Sequence, residues 1–146
     1  MMFADFLRRL TEPAVDPLTE GDSRLALTAL LVRIARSDED YQKSEIELID
    51  SIVAERYGLS ADDASALRHD AEQLEAEAPD TVKFTTAIKQ GVAYEHRLGV
   101  IESLWKVVLA DGKRDEAEDA LLRTVSRFLG VSDMDSALAR QRVQGD

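Results

Sequence analysis

Ser103-Leu104-Trp105-Lys106-Val107-Val108-Leu109-Ala110-Asp111-Gly112 is the stretch on which the reading of this chain turns. With Val100 and Ile101 before it, the segment is apolar around most of a helical circumference, which predicts a central buried helix from about Ala93 to Ala110. Asp111-Gly112 breaks it. The acidic loop Lys113-Arg114-Asp115-Glu116-Ala117-Glu118 follows, then a second amphipathic helix from Asp115 to Leu129 that turns Leu121, Leu122, Val125, Phe128 and Leu129 inward. Gly130 ends that helix and Ser132 caps the next.

A fainter copy of residues 103–132 lies at residues 30–60. Laid over one another, Leu31 matches Leu104, Ile34 matches Val107, Leu48 matches Leu121, Ile49 matches Leu122 and Ile52 matches Val125. After a one-residue deletion, Gly58-Leu59-Ser60 matches Gly130-Val131-Ser132. Asp38 falls on Asp111 and Glu45 on Glu118, the two acids seven residues apart in each copy. Two helix–loop–helix units related by a pseudo-two-fold axis are the expectation.

The remaining chain is helical in the same manner. Phe3, Phe6, Leu7 and Leu10 share one face of a short helix over residues 2–10, and Pro13 and Pro17 make residues 11–21 a linker. A helix opens near Asp22 or Ser23, and the one after it stops at Gly58. Ser60 caps a third, whose narrow stripe is Ala64, Leu67, Ala71, Leu74 and Ala78, with Asp62, Asp63, Asp70, Glu72, Glu75 and Glu77 forming a solvated face. A shorter helix spans about Thr81 to Gln90, and the last runs from Ser132 towards Gly145. The predicted architecture is all-α: one bundle of seven to eight helices over residues 22–144, preceded by the short helix and linker of residues 1–21.

Composition agrees and narrows the function. The 146 residues are 45% hydrophobic and 32% charged, with three prolines and seven glycines, so a single globular domain with long regular elements follows. A net charge of −11 opposes nucleic-acid binding, because phosphates need a basic face. There is no cysteine, which removes disulfides, thiol catalysis and thiolate metal sites. No apolar run reaches the ~20 residues of a membrane span, and the start lacks a cleavable leader, so a cytoplasmic location is expected.

Asp38, Glu45, Asp111, Asp115 and Glu118 are the candidate site. Hard carboxylate oxygens without Cys or neighbouring His suit Ca²⁺, Mg²⁺ or Mn²⁺ better than Zn²⁺. The competing reading is helix capping. Asp115-x-x-Glu118 has the form of a capping box, Ser44-x-x-Glu47 is another that leaves Glu45 at the first helical position, and Asp111-Gly112 is an ordinary stop with Gly112 after the cap. An EF-hand is excluded, since it needs Gly at position 6 and Glu at position 12. From Asp111 those positions are Glu116 and Leu122, and from Asp38 they are Lys43 and Ile49. A di-iron bundle needs Glu-x-x-His, but Ala66 and Ala93 precede His69 and His96 at that spacing.

Catalysis finds little support. Asp70 beside His69 and Glu95 beside His96 do not face each other on a helix, so neither pair makes a base and its orienter. Gly-x-Ser-x-Gly, His-Glu-x-x-His and a Gly-rich phosphate loop are all missing from the sequence. Trp105, within so apolar a helix, is expected to belong to the core.

Leu104 to Gly112, Glu118, and Phe128-Leu129-Gly130-Val131-Ser132 together resemble the tellurite-resistance TerB-like family of bacteria, and the similarity runs from about Leu25 to Leu138. The resemblance implies a compact all-helical domain with internal two-fold character, clustered acids that bind a divalent cation, and a place in bacterial stress response. It implies no enzymatic activity. The first unit departs from the pattern, having Ser37-Asp38-Glu39 where the second has Ala110-Asp111-Gly112. The resulting expectation is a non-enzymatic binding or scaffold module with a protein partner and no cofactor beyond a divalent cation. The alternatives are a pure protein-interaction domain whose acids only cap helices, and a metal-dependent hydrolase.

Overall fold

A computed structural model of the chain describes residues 20–37, 41–77, 81–110 and 116–145, with side chains from Ser23 and, in the last stretch, from Asp119. Seven helices are described: α1 (Glu20–Arg36), α2 (Lys43–Tyr57), α3 (Ala61–Glu77), α4 (Thr81–Gly91), α5 (Tyr94–Val108), α6 (Glu116–Phe128) and α7 (Asp133–Gly145). No strand occurs among the described residues, so the all-α expectation holds. The helix expected over residues 2–10 lies outside them. None of the described helices is long and apolar enough to cross a membrane.

The centre of the bundle is α1, not the helix containing Trp105. Leu25, Ala26, Leu27, Ala29, Leu30, Leu31, Val32, Ile34 and Ala35 are all sealed from solvent, and α1 packs against α2, α3, α4, α5 and α6. Its leucines and isoleucine resemble a single stripe in the sequence. Ala26, Ala29 and Val32 fill the opposite side, and small side chains there let neighbouring helices approach closely. The helix accommodates its buried Thr28 by hydrogen bonding, Oγ1 donating to the Arg24 carbonyl at 2.7 Å. In α5, Val100, Ile101, Leu104, Val107 and Val108 are buried as predicted, but Glu102 and Lys106 keep one side wet.

The helix pairing follows the repeat. α1, α2 and α3 touch one another, as do α5, α6 and α7, and the two groups meet through α1 on α5, α1 on α6 and α2 on α5. The joints agree in detail. Gly58 and Gly130 both take left-handed backbone (φ 63° and 74°), ending α2 and α6. In each, the following amide reaches back to close the helix end: Leu59 N–H to Ala54 O and Val131 N–H to Ser126 O, both 2.9 Å. Ser60 and Ser132 then cap α3 and α7, their Oγ accepting the Asp63 and Asp135 amides at 3.1 Å.

Arg97 of α5 fastens the remaining ends. Its guanidinium donates to the carbonyls of Lys89, Val92 and Leu129 at 3.2, 3.1 and 3.3 Å. A cation therefore sits at the negative ends of both α4 and α6.

Two expectations about the surface are corrected. Phe128 is 37% exposed, and the buried positions near it are Val125, Ser126 and Leu129. Glu72 and Glu75 do not belong to a solvated face. Glu75 receives Arg33 Nε at 3.1 Å and Arg36 at 2.9 Å, which locks α3 to α1. Glu72 receives the Tyr41 hydroxyl at 2.6 Å and Arg68 at 3.1 Å. Each lies beside the apolar stripe of α3, where Arg33 and Arg36 of α1 reach Glu75, and Tyr41 and Arg68 of α3 itself reach Glu72.

Candidate functional site

Of the five predicted acids, Glu45 alone has a described side chain. It is the third residue of α2, and its Oε1 accepts the Gln42 amide at 3.1 Å. The cap is thus Gln42 with Glu45, and the alternative built on Ser44 and Glu47 is overturned, because α2 begins at Lys43 and Ser44 is already helical. Asp38, Asp111 and Asp115 lie outside the described residues. Glu118 stands in the first turn of α6, its side chain likewise undescribed. The stop assigned to Asp111-Gly112 also moves, since α5 ends at Val108 with Leu109 as its cap, so Gly112 is not the residue after the cap. Among the described residues no group of three or more His, Asp or Glu side chains is placed to hold a metal ion.

His69 and His96 are exposed. His69 Nδ1 is 3.6 Å from Glu72 Oε1, one helical turn away, while Asp70 takes no part.

The first unit closes on a charge network. Arg68, buried in α3, donates Nε to Asp50 at 2.6 Å, one terminal nitrogen to Glu72 at 3.1 Å and the other to Ser65 Oγ at 3.1 Å. Burial works to lower its pKa, but the hydrogen bonds and charges of Asp50 and Glu72 together outweigh that and raise it. Tyr41 completes the network. Burial first, and then its bond to Glu72, push its phenol well above the ordinary range. Each member of this network bonds to another, so Arg68 is neutralised within the chain.

The second unit is different. Between α5, α6 and α7 lies a cleft of about 440 Å³ lined by Trp105, Asp119, Arg123, Ser126, Asp133, Ser136, Ala137 and Arg140. Trp105 is 8% exposed, which makes it a wall of this cleft as well as a core residue. Its indole N–H donates to Ser136 Oγ at 3.1 Å, and the two buried hydroxyls of Ser126 and Ser136 lie 3.5 Å apart. The Arg140 guanidinium lies over the Trp105 ring at 5.4 Å, and its buried Nε has no hydrogen-bond partner among the described residues.

A family model described as "Tellurite resistance protein TerB" matches residues 24–141. The chain belongs to the TerB family. The match begins in α1 and ends in α7, so both helical units of this TerB-family protein lie within it. Comparison with curated proteins and with solved structures gave no match.

Of the predicted acids, Glu118 directly precedes Asp119 of the cleft wall in the sequence of this TerB-family chain. Arg123, Arg140 and the two serines were missed by reasoning on motifs. The signal for them lay in the internal overlay. The register that pairs Leu31 with Leu104 also sets apolar Val32 against Trp105 and Val53 against Ser126.

Proposed function

We propose that this TerB-family chain is a non-enzymatic, cytoplasmic binding or scaffold module of a bacterial stress-response system, which binds a divalent cation through its two acidic interhelical turns and engages a protein partner. The observation that carries this reading is the crosswise packing of the two hairpins, α1 on α6 and α2 on α5. That packing supports the reading by setting the helices of the first hairpin against those of the second. Carboxylate oxygens without thiolate or imidazole suit Ca²⁺, Mg²⁺ or Mn²⁺.

Two observations favour a second reading, in which the acids only cap helices and the function is protein docking alone. Glu45 already uses an oxygen on the Gln42 amide. Exposed Met134 and Leu138, one turn apart on α7, offer apolar contact area for a partner.

Calorimetric titration with Ca²⁺, Mg²⁺ and Mn²⁺ of the wild type and of Asp111→Ala/Glu118→Ala separates the two. Saturable binding lost in the double variant supports the cation site. No heat in either protein, with the variant destabilised by the ~1 kcal/mol of a lost cap, leaves the docking reading.

A further inference from the structure

We propose that the cleft between α5, α6 and α7 is a binding site for a small monoanionic organic acid, with Arg123 and Arg140 receiving its carboxylate and the Ser126 and Ser136 hydroxyls meeting its remaining polar atoms. The inference is independent of the cation reading and concerns a different set of residues.

The strongest support comes from comparing the two units position by position. The register shared by Gly58 and Gly130, and by the Ser60 and Ser132 caps, sets Arg68 of α3 against Arg140 of α7. Both are inward-lying arginines. In the first unit Arg68 is neutralised by Asp50 and Glu72. The same overlay puts Arg123 where Asp50 stands, and Gln144 where Glu72 stands. The second unit therefore keeps the arginine, drops both acids and adds a second arginine.

The walls change in the same sense. Val32, Val53 and Ala64 are sealed core residues of the first unit. Their counterparts are Trp105, Ser126 and Ser136, all of which line the cleft. Folding alone gives no reason to exchange packed aliphatic side chains for hydroxyls around a cavity, since each buried polar atom must then find a partner.

Arg140 has not found one for its Nε among the described residues. Its stacking on Trp105 fixes the guanidinium plane, yet the buried Nε donates to none of them. Arg123 makes no hydrogen bond or ion pair among the described residues, in a protein with 29 acidic and 18 basic side chains. An arriving carboxylate supplies the acceptors that both lack, and guanidinium groups match carboxylates in geometry as well as charge. Asp119 and Asp133 in the same lining offset the two arginines, so a phosphate dianion would bring more uncompensated charge than a monoanion and is disfavoured against it. A volume of about 440 Å³ lies within the roughly 300–1,000 Å³ of small-molecule sites and is too small for a folded partner.

Trp105 is the only tryptophan, so its fluorescence reports on the cleft directly. The experiment titrates the full chain, with a chelator present to silence any cation site, against acetate, lactate, pyruvate and glycolate. Inorganic phosphate and chloride at matched ionic strength are the controls, and calorimetry is the second readout. A saturable signal with at least one of the acids is expected. It should weaken roughly tenfold or more in Arg123→Gln and in Arg140→Gln, as the loss of a charge-assisted hydrogen bond predicts, while helicity by circular dichroism is retained. Arg123 is exposed, so its variant keeps the test valid if Arg140→Gln misfolds. A response to all four acids no different from chloride overturns the proposal, as does tighter binding of phosphate than of any carboxylate, or saturable binding indifferent to both substitutions.

Discussion

Replacing Arg68 by alanine strands two carboxylates against the side of α3. Arg68 is 9% exposed in its side chain, and its partners Asp50 and Glu72 are 26% and 17% exposed. Breaking a fully buried pair costs about 3–5 kcal/mol, because the surviving charge has lost both water and partner. Exposed pairs contribute only about 0–1 kcal/mol. The carboxylates here retain some access to water, so part of the penalty is recovered, and a loss of about 2–3 kcal/mol is expected. Urea unfolding followed by circular dichroism measures it, and an unchanged slope confirms that stability alone has moved. The triple variant Arg68→Met/Asp50→Leu/Glu72→Met removes the stranded charges with the arginine and should recover at least half of the loss. A loss in Arg68→Ala of ~0.5 kcal/mol or less would place the network among ordinary surface pairs. A triple variant no more stable than the single one would refute stranded charge as the cause.

Tyr41→Phe should cost about 1 kcal/mol near neutral pH through its lost bond to Glu72. The folded protein holds the Tyr41 proton more tightly than the unfolded chain does. Its contribution is therefore complete below the ordinary phenol value of about 10 and falls as pH rises from there towards the higher folded value. Denaturation curves taken at increasing pH should show wild type and Tyr41→Phe converging, and parallel curves would contradict this. Gly58→Ala and Gly130→Ala should each cost about 1 kcal/mol, since both positions are left-handed and nothing crowds either site closer than 3.9 Å. Thermal unfolding of the two variants checks whether the joints are equivalent. Ser60→Ala and Ser132→Ala should likewise lose about 1 kcal/mol each, and a shift confined to one of them would break the correspondence of the caps.

Helices and their joints were legible in the sequence because each is a local pattern. Gly58 and Gly130, with Ser60 and Ser132 two residues later, mark chain reversals whose hydrogen bonds span only a few residues. The rank of the helices within the bundle was harder to read. Alanine is weakly apolar, so Ala26, Ala29 and Ala35 lent α1 less weight than the bulkier α5, although small residues are what a helix surrounded by five others requires. Glu45 was read as an acid at a helix start, which it is, but the cap residue was misplaced from Gln42 to Ser44. Glutamine is an uncommon cap, and Ser44 offered the more familiar signature. Long-range pairings such as Arg33 with Glu75 and Arg97 with Leu129 leave no periodic trace in the sequence.

The position of α1 bears on how the domain can be divided. Each of its faces is covered by a different part of the chain, including α5 and α6 of the other unit. A fragment of α1, α2 and α3 would present to water the side of Leu25 to Ala35 that those helices cover, with about 1.5–3 kcal/mol of burial lost for each large aliphatic side chain uncovered. Burial shared in this way ties the two halves together, so a truncation that keeps α1, α2 and α3 alone should yield aggregate rather than half of a working protein.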